Sequence, residues 1–111
     1  MTSESMAPLF LINTTYRIHP DDTDAFKALA ARLANDAPRF EGNSFFSVGQ
    51  DVLDSGVFHL IEGWQSREAF EAALASEAFQ GVLKQALQLR ITERFGDMIF
   101  VSGIQKLEMP A

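Results

Sequence analysis

The chain has 111 residues, of which 47% are hydrophobic and 22% are charged, and this is the size and composition of one globular domain. Its formal charge is −6 and its nine Lys and Arg residues are scattered, so we expect neither nucleic acid nor a membrane surface as a partner. The absence of cysteine excludes disulfides, thiolate catalysis and Cys-based metal sites. With no signal peptide and no apolar run near ~20 residues, the sequence predicts a cytoplasmic protein.

The first elements of the chain are predicted from residue type and spacing. We expect residues 1–8 to form a flexible N-terminal tail and residues 9–107 to form a single domain. The segment 9–18 is rich in β-branched and aromatic residues and predicts a strand, with Tyr16 on the same face as Phe10. Apolar residues at helical spacing then predict a helix that ends before Pro38. These residues are Phe26, Leu29, Ala30 and Leu33.

The second half of the chain predicts a hairpin, two helices and a last strand. Asp54-Ser55-Gly56 is typical of a turn between two strands, and Ser66 and Ser76 are suited to cap helices. The elements are expected as strands over 43–52 and 56–64, helices over 67–75 and 77–91, and a strand over 98–106.

The order of these elements predicts an α+β, ferredoxin-like fold, β-α-β-β-α-α-β, with an antiparallel sheet and helices on one face. The strands carry apolar residues on both faces, because Phe45 opposes Phe46 and Ile61 opposes Leu60. Helices can cover one face, so we expect a second copy of the chain to cover the other in a two-fold homodimer.

Residues 52–79 resemble the antibiotic-biosynthesis-monooxygenase domain family of dimeric α/β barrels, which includes quinol monooxygenases. The resemblance rests on the turn Asp54–Gly56, the strand end Glu62-Gly63-Trp64, Glu68-Ala69-Phe70, and the helix junction Leu74-Ala75-Ser76 before Phe79. It implies a protomer whose sheet pairs with that of its partner to form a barrel, with a pocket between the sheet and the helices. Members of this family oxidise aromatic polyketides or quinols with O₂ and without metal or flavin, so the resemblance implies no cofactor.

Two positions depart from the family pattern. Quinol-monooxygenase-like members usually have His where this chain has Ala73 and Ala78. Haem-degrading members need a helical His to hold iron, and the segments after Trp64 contain no His, so haem is not expected.

The candidate site residues lie on the face that the resemblance places against the helices. Trp64 would stack on an aromatic substrate, Glu62 would act as a base with a raised pKa, and Tyr16 would place its hydroxyl near the ligand. Packing is the competing interpretation for Trp64 and Tyr16, and a structural ion or hydrogen-bond partner for Glu62. We expect the substrate-binding residues to be Phe58, Leu60, Phe70, Phe79 and Leu83.

The other polar residues receive structural interpretations. His59 is expected on the opposite face as a hydrogen-bonded interface residue, and His19 as an exposed loop residue. Arg90 and Arg94 are expected to close the last helix, where positive charge complements the helix dipole. Two histidines without helical pairing spacing do not predict a metal site.

The sequence therefore leads to two main hypotheses. The first is a cofactor-independent monooxygenase that acts with O₂ on a hydrophobic aromatic, quinol-like or polyketide-like substrate. The second is a non-catalytic dimeric module that binds or senses a small hydrophobic molecule. A cofactor-free isomerase of the same barrel type is a third alternative.

Overall fold

The computed structural model describes residues 9–110, in which four strands and three helices alternate in the predicted order. The elements are β1 (Phe10–Ile18), α1 (Thr23–Asp36), β2 (Asn43–Gln50), β3 (Val57–Trp64), α2 (Arg67–Leu74), α3 (Glu77–Ala86) and β4 (Ile91–Phe100). Short 3₁₀ turns at Pro20–Asp22 and Ala37–Arg39 flank α1. The predicted N-terminal tail lies outside the described residues.

The four strands form one antiparallel sheet in the order β2-β3-β1-β4. In this register Phe10 is opposite Trp64 and Tyr16 is opposite Phe58, so the predicted site residues of β1 and β3 share one face. The helices pack on that face, and the ferredoxin-like α+β prediction is confirmed.

The helices form where the sequence predicts them because each start is marked by local chemistry. Ser66 and Ser76 accept hydrogen bonds from the backbone N–H groups of Ala69 and Phe79, and so they cap α2 and α3. The apolar stripe of α1 faces the sheet, where Phe26, Ala30 and Leu33 are buried.

The boundary between α3 and β4 differs from the prediction. The helix expected over 77–91 ends at Ala86, and the strand expected to begin at Met98 begins at Ile91. Residues 101–106, predicted as strand, have no regular secondary structure. The side chain of Asp22 accepts hydrogen bonds from the backbone and guanidinium of Arg90, and this contact fixes the chain where β4 begins.

Arg90 and Arg94 therefore do not close a helix, and their predicted role at a helix dipole was wrong. Arg90 precedes β4 and forms an ion pair with Asp22, whereas Arg94 lies within β4. Gly96 precedes the strand predicted over 98–106, but it lies in the middle of β4. A Cβ at Gly96 would collide with the carbonyl oxygen of Asn13, so this residue permits close pairing of β4 with β1.

The core lies between the helices and one face of β1 and β3. One cluster of buried residues surrounds Trp64 and Phe10, and a second surrounds Phe58 and Phe26. The other face of the sheet carries exposed apolar side chains, as the two-faced strand pattern predicts. These are Phe45, Ile61, Phe95 and Ile99. Within residues 9–110, the structure contains no helix long and apolar enough to cross a membrane.

Candidate functional site

Glu62 and Trp64 form a hydrogen-bonded pair inside the core. The indole Nε1–H of Trp64 donates to Oε1 of Glu62 at 2.9 Å, and Trp64 has 0% exposure while Glu62 has 7%. Burial raises the pKa of the Glu62 carboxyl, and the hydrogen bond from Trp64 partly opposes that rise because it stabilises the charged form. Glu62 is therefore a stronger base than an exposed carboxylate.

The pair lies where β3 passes into α2, and aromatic rings enclose it. The ring of Phe70, on the first turns of α2, meets Trp64 edge-on with centroids 5.8 Å apart. Phe40 lies between Trp64 and Phe79, at 6.5 Å and 5.7 Å from their rings. Phe70 and Phe79, which were predicted to bind substrate, thus pack around the indole.

An apolar cavity of about 60 Å³ lies further along the same face of the sheet, under α1 and α3. Tyr16 is the one lining residue with a polar side chain. The lining residues are Tyr16, Phe26, Leu29, Ala30, Leu33, Leu60, Val82, Leu83 and Ala86. The structure thus brings three of the predicted site residues, Tyr16, Leu60 and Leu83, to one cavity, which neither Glu62 nor Trp64 lines.

A groove of about 310 Å³ lies along β1 and the edge strand β4, and residues of both faces of β4 line it. It is lined by Ile12, Thr14, Arg94, Phe95, Gly96, Asp97 and Met98. The groove and the cavity are neighbours in the sheet, because Thr14 pairs with Leu60 and Tyr16 pairs with Arg94. The guanidinium carbon of Arg94 lies over the Tyr16 ring, 5.7 Å from its centroid.

Phe58 was predicted to bind substrate, but it does not line the apolar cavity. Phe58 lines a hollow of about 170 Å³ between α1 and β2, and Lys27, Val48 and Gln50 are among the other lining residues. This hollow and the apolar cavity share Ala30, so they lie on either side of α1.

The two histidines lie away from the cavity. His59 is on the opposite face of the sheet, as predicted, where its Nε2 is 2.9 Å from Asp51 and its Nδ1 is 3.2 Å from the Thr15 hydroxyl. His19 lies in the turn between β1 and α1 with a partly exposed side chain, and its Nδ1 accepts a hydrogen bond from the backbone of Asp21. Within residues 9–110, no cluster of three or more potential His, Asp or Glu metal ligands occurs.

Arg94 is the residue beside the cavity that sequence reasoning missed as a site residue. The signal was present, since Thr92, Arg94, Gly96 and Met98 alternate with residues of the other face. The alternation went unrecognised because Arg94 was predicted to close the last helix and the strand was predicted to begin only at Met98.

With this geometry, comparisons with known proteins assign the family. The model of the antibiotic biosynthesis monooxygenase family matches residues 9–85. The chain belongs to this family. The family fold extends over most of the described chain, as structural comparison also indicates.

Solved structures of similar fold include a candidate antibiotic biosynthesis monooxygenase from Deinococcus radiodurans, with a TM-score of 0.82 and 15% identity over 90% of this chain and 99% of the other. A second candidate family member, from Nitrosomonas europaea, has a TM-score of 0.77 and 20% identity over 85% and 99% of the two chains. SnoaB, a cofactor-independent oxygenase from Streptomyces nogalater, has a TM-score of 0.74 and 17% identity over 88% and 97%. A search of curated protein sequences gives no match. At these identities, the structural likeness establishes the fold.

Proposed function

We propose that this chain is a cofactor-independent oxygenase that acts with O₂ on a hydrophobic aromatic, quinol-like or polyketide-like molecule. The observation that carries the proposal is the apolar cavity between the sheet and the helices, in which Tyr16 is the one lining residue with a polar side chain. An apolar site with few polar groups suits an aromatic ligand, and exclusion of water favours chemistry on its anion. Membership of the monooxygenase family and the similar fold of an oxygenase support this assignment.

The reaction needs no further reductant if the substrate supplies the electrons. An anthrone, for example, is oxidised at its methylene carbon, which loses both hydrogens and gains one oxygen as a carbonyl. The second oxygen atom of O₂ leaves as water. What the protein must supply is a position for the ring and an acceptor for the first proton.

Each of these roles can be given to a residue. Tyr16 and Leu60 would hold the ring, because both line the cavity. We assign proton transfer to Glu62, whose pKa is raised by burial and which is next to Leu60 on the same face of β3. Glu62 does not line the cavity, so this role requires the cavity to widen past Leu60 as far as the carboxylate. Trp64 would hold the carboxylate in place through its indole N–H.

The cavity must widen to admit a ring. Its volume of about 60 Å³ is smaller than the ~150 Å³ of an apolar cavity known to hold benzene, and ligand pockets typically measure ~300–1,000 Å³. Leu29 and Leu83 are half-buried parts of its lining, so rotation of these side chains can open it toward the surface. The adjoining groove of about 310 Å³ then provides the remaining space.

Oxygen uptake with a panel of anthrones and hydroquinones tests the proposal. The wild-type chain should consume O₂ faster than the buffer, and Ala86→Leu should not, because the added carbons would fill the cavity. Ala78→Leu is the matched control, since Ala78 is exposed on the same helix. Uptake at the no-protein rate across the panel would contradict oxygenase activity on these substrates.

A second variant tests the assignment of the proton acceptor. Glu62→Gln keeps an oxygen that can accept the Trp64 N–H but cannot take a proton. We expect turnover to fall by a factor of roughly 10²–10⁴, the usual contribution of a general base, while ligand affinity stays unchanged. Unchanged turnover would remove Glu62 from the mechanism.

The second candidate function is ligand binding without chemistry. The observation that favours it is the enclosure of Trp64, whose aromatic neighbours leave the Glu62 pair inside the core rather than in the cavity. Ala73 and Ala78 also provide no ionisable group where quinol-monooxygenase-like chains have histidine. Binding of a hydroquinone without any O₂ uptake would favour this function over oxygenation.

The exposed apolar face supports a homodimer as the working unit. Phe45, Ile61, Phe95 and Ile99 are 37–58% exposed on the side of the sheet away from the helices. A two-fold pairing of these faces would bury them, with the same patch used by both copies. Sedimentation at micromolar concentration should give the mass of two chains, and a monomeric mass would contradict this part of the proposal.

A further inference from the structure

Arg94 places an exposed positive charge beside the apolar cavity. It shares a face of the sheet with Tyr16, lines the groove and lies over the ring of Tyr16, which in turn lines the cavity. Within residues 9–110, the ion pairs formed by arginine involve Arg17, Arg67 and Arg90, and none involves Arg94. Its guanidinium donors are therefore available to a ligand.

The position of this charge is unusual for the chain as a whole. The protein has a formal charge of −6, yet Arg94 and Thr14 line one groove beside the apolar cavity. Asp97 also lines this groove, but in the register it belongs to the opposite face of the sheet from Arg94. A guanidinium has a planar fork of N–H donors that matches the two oxygens of a carboxylate. Its contact with the Tyr16 ring restricts the side chain, so less conformational entropy is lost when an anion binds.

We propose that the ligand of this site is an aromatic acid, whose ring occupies the cavity and whose carboxylate binds Arg94. The inference rests on the proposed function for the ring-binding cavity and adds the chemical class of the ligand. The ring would lie against Tyr16 and Leu60, and the carboxylate would lie in the groove near Thr14. A neutral aromatic of the same shape would then bind more weakly, because it leaves the guanidinium without an anionic partner.

The competing explanation is that Arg94 only covers the Tyr16 ring. A cation over a tyrosine contributes to stability on its own, and a long side chain can shield an aromatic face from water. In that case, replacing Arg94 would lower the stability of the chain but would not change the ranking of ligands by charge. Ligand selectivity, rather than affinity alone, therefore separates the two explanations.

The experiment compares 2-naphthoate with 2-naphthalenemethanol, which has the same ring and no charge. Affinities are measured by calorimetry for the wild-type chain, Arg94→Gln, Arg94→Lys and Arg32→Gln. The last variant is the matched control, because it removes an exposed arginine from α1 and changes the net charge equally. Since the readout is binding, its outcome does not depend on oxygen consumption.

We expect the wild-type chain to prefer naphthoate by about tenfold, the effect of a charge-assisted hydrogen bond at a partly exposed site. Arg94→Gln should remove this preference while it leaves the affinity for the alcohol unchanged, and Arg94→Lys should keep part of it. Arg32→Gln should bind both ligands as the wild type does. Added salt should weaken the binding of naphthoate and not that of the alcohol.

Four results would overturn the inference. Equal affinities of the wild-type chain for the two ligands would exclude acid selectivity. A preference that survives in Arg94→Gln, or that falls equally in Arg32→Gln, would show that Arg94 does not provide the anion contact. If neither ligand binds, both the ring-binding cavity and the inference are contradicted. If O₂ is consumed with neutral anthrones but naphthoate is not preferred, the proposed function stands and only the inference about Arg94 is wrong.

Discussion

Replacement of Trp64 by Phe tests the buried pair in the core. The substitution removes the donor to Glu62 Oε1 and part of a side chain that has 0% exposure. Partial truncation of a buried Trp costs roughly half of the ~3–5 kcal/mol of full truncation to Ala. Loss of the partner of a buried carboxylate adds about 1–3 kcal/mol. We therefore expect Trp64→Phe to lower the free energy of unfolding by about 3–5 kcal/mol at neutral pH.

The stability lost in Trp64→Phe should depend on pH, and the ionisation of Glu62 determines the direction of that dependence. Because burial raises the pKa of this carboxyl in the folded chain, its contribution to stability grows as the pH falls and is lost as the pH rises through the folded value. Trp64 opposes the rise, so its removal raises the folded pKa further. Trp64→Phe should therefore be more destabilising at pH 8 than at pH 5, because the charged form of Glu62 is the one that loses its donor.

The assay is urea unfolding at pH 5 and pH 8 at one fixed protein concentration, since dimerisation would make stability concentration-dependent. Phe79→Leu is the control, because Phe79 is buried in the same cluster and has no polar atom to lose. Phe79→Leu should lower the free energy of unfolding by the same amount at both pH values. An equal loss for Trp64→Phe at both pH values would refute the account of Glu62, as would a pH-dependent difference that persists when Glu62→Gln is added.

Three further predictions concern the fold. Ser76→Ala removes the N-cap of α3 and should cost about 1 kcal/mol in thermal or urea unfolding; an unchanged midpoint would mean that water replaces the cap. Gly96→Ala introduces a Cβ against the Asn13 carbonyl, so amide exchange in β4 should accelerate, and unchanged protection would contradict the close approach. Hydrogen bonds from Arg90 lower the pKa of Asp22 to about 2, so its contribution is present above pH 4 and lost toward pH 2. In Asp22→Asn the free energy of unfolding should therefore depend less on pH between pH 4 and pH 2. An unchanged dependence over this range would mean that the ion pair of Asp22 with Arg90 does not contribute to stability.

The parts of the fold that follow from local chemistry could be predicted from the sequence. Alternation in β1 and β3 placed Tyr16, Glu62 and Trp64 on one face, and the capping serines marked the starts of α2 and α3. The homologous pattern around Glu62-Gly63-Trp64 supplied the topology that these local signals alone do not define.

The end of α3 could not be predicted because a distant contact decides it. The segment after Ala86 contains Leu, Gln and Arg, which favour helix, so propensity extends the helix to Ile91. In the folded chain Arg90 instead binds Asp22, which is far away in sequence and beside α1. Tertiary structure thus overrides local preference, and the face that carries Arg94 becomes visible only when β4 is in place.

The cavity also lies beyond sequence reasoning because its size depends on how side chains fill space. The family resemblance implied a pocket between the sheet and the helices, but it could not show that the rings around Trp64 close the core there. The open volume lies instead beside Leu60 and Tyr16, under α1 and α3.

Oxygen uptake by the wild-type chain and by Ala86→Leu tests the central claim most directly. With at least one anthrone or hydroquinone, the wild type and the Ala78→Leu control should consume O₂ above the no-protein rate, and Ala86→Leu should fall to that rate. Uptake by Ala86→Leu equal to that of the wild type would contradict turnover in the cavity. Uptake at the no-protein rate by every variant across the panel would contradict oxygenase activity on these substrates.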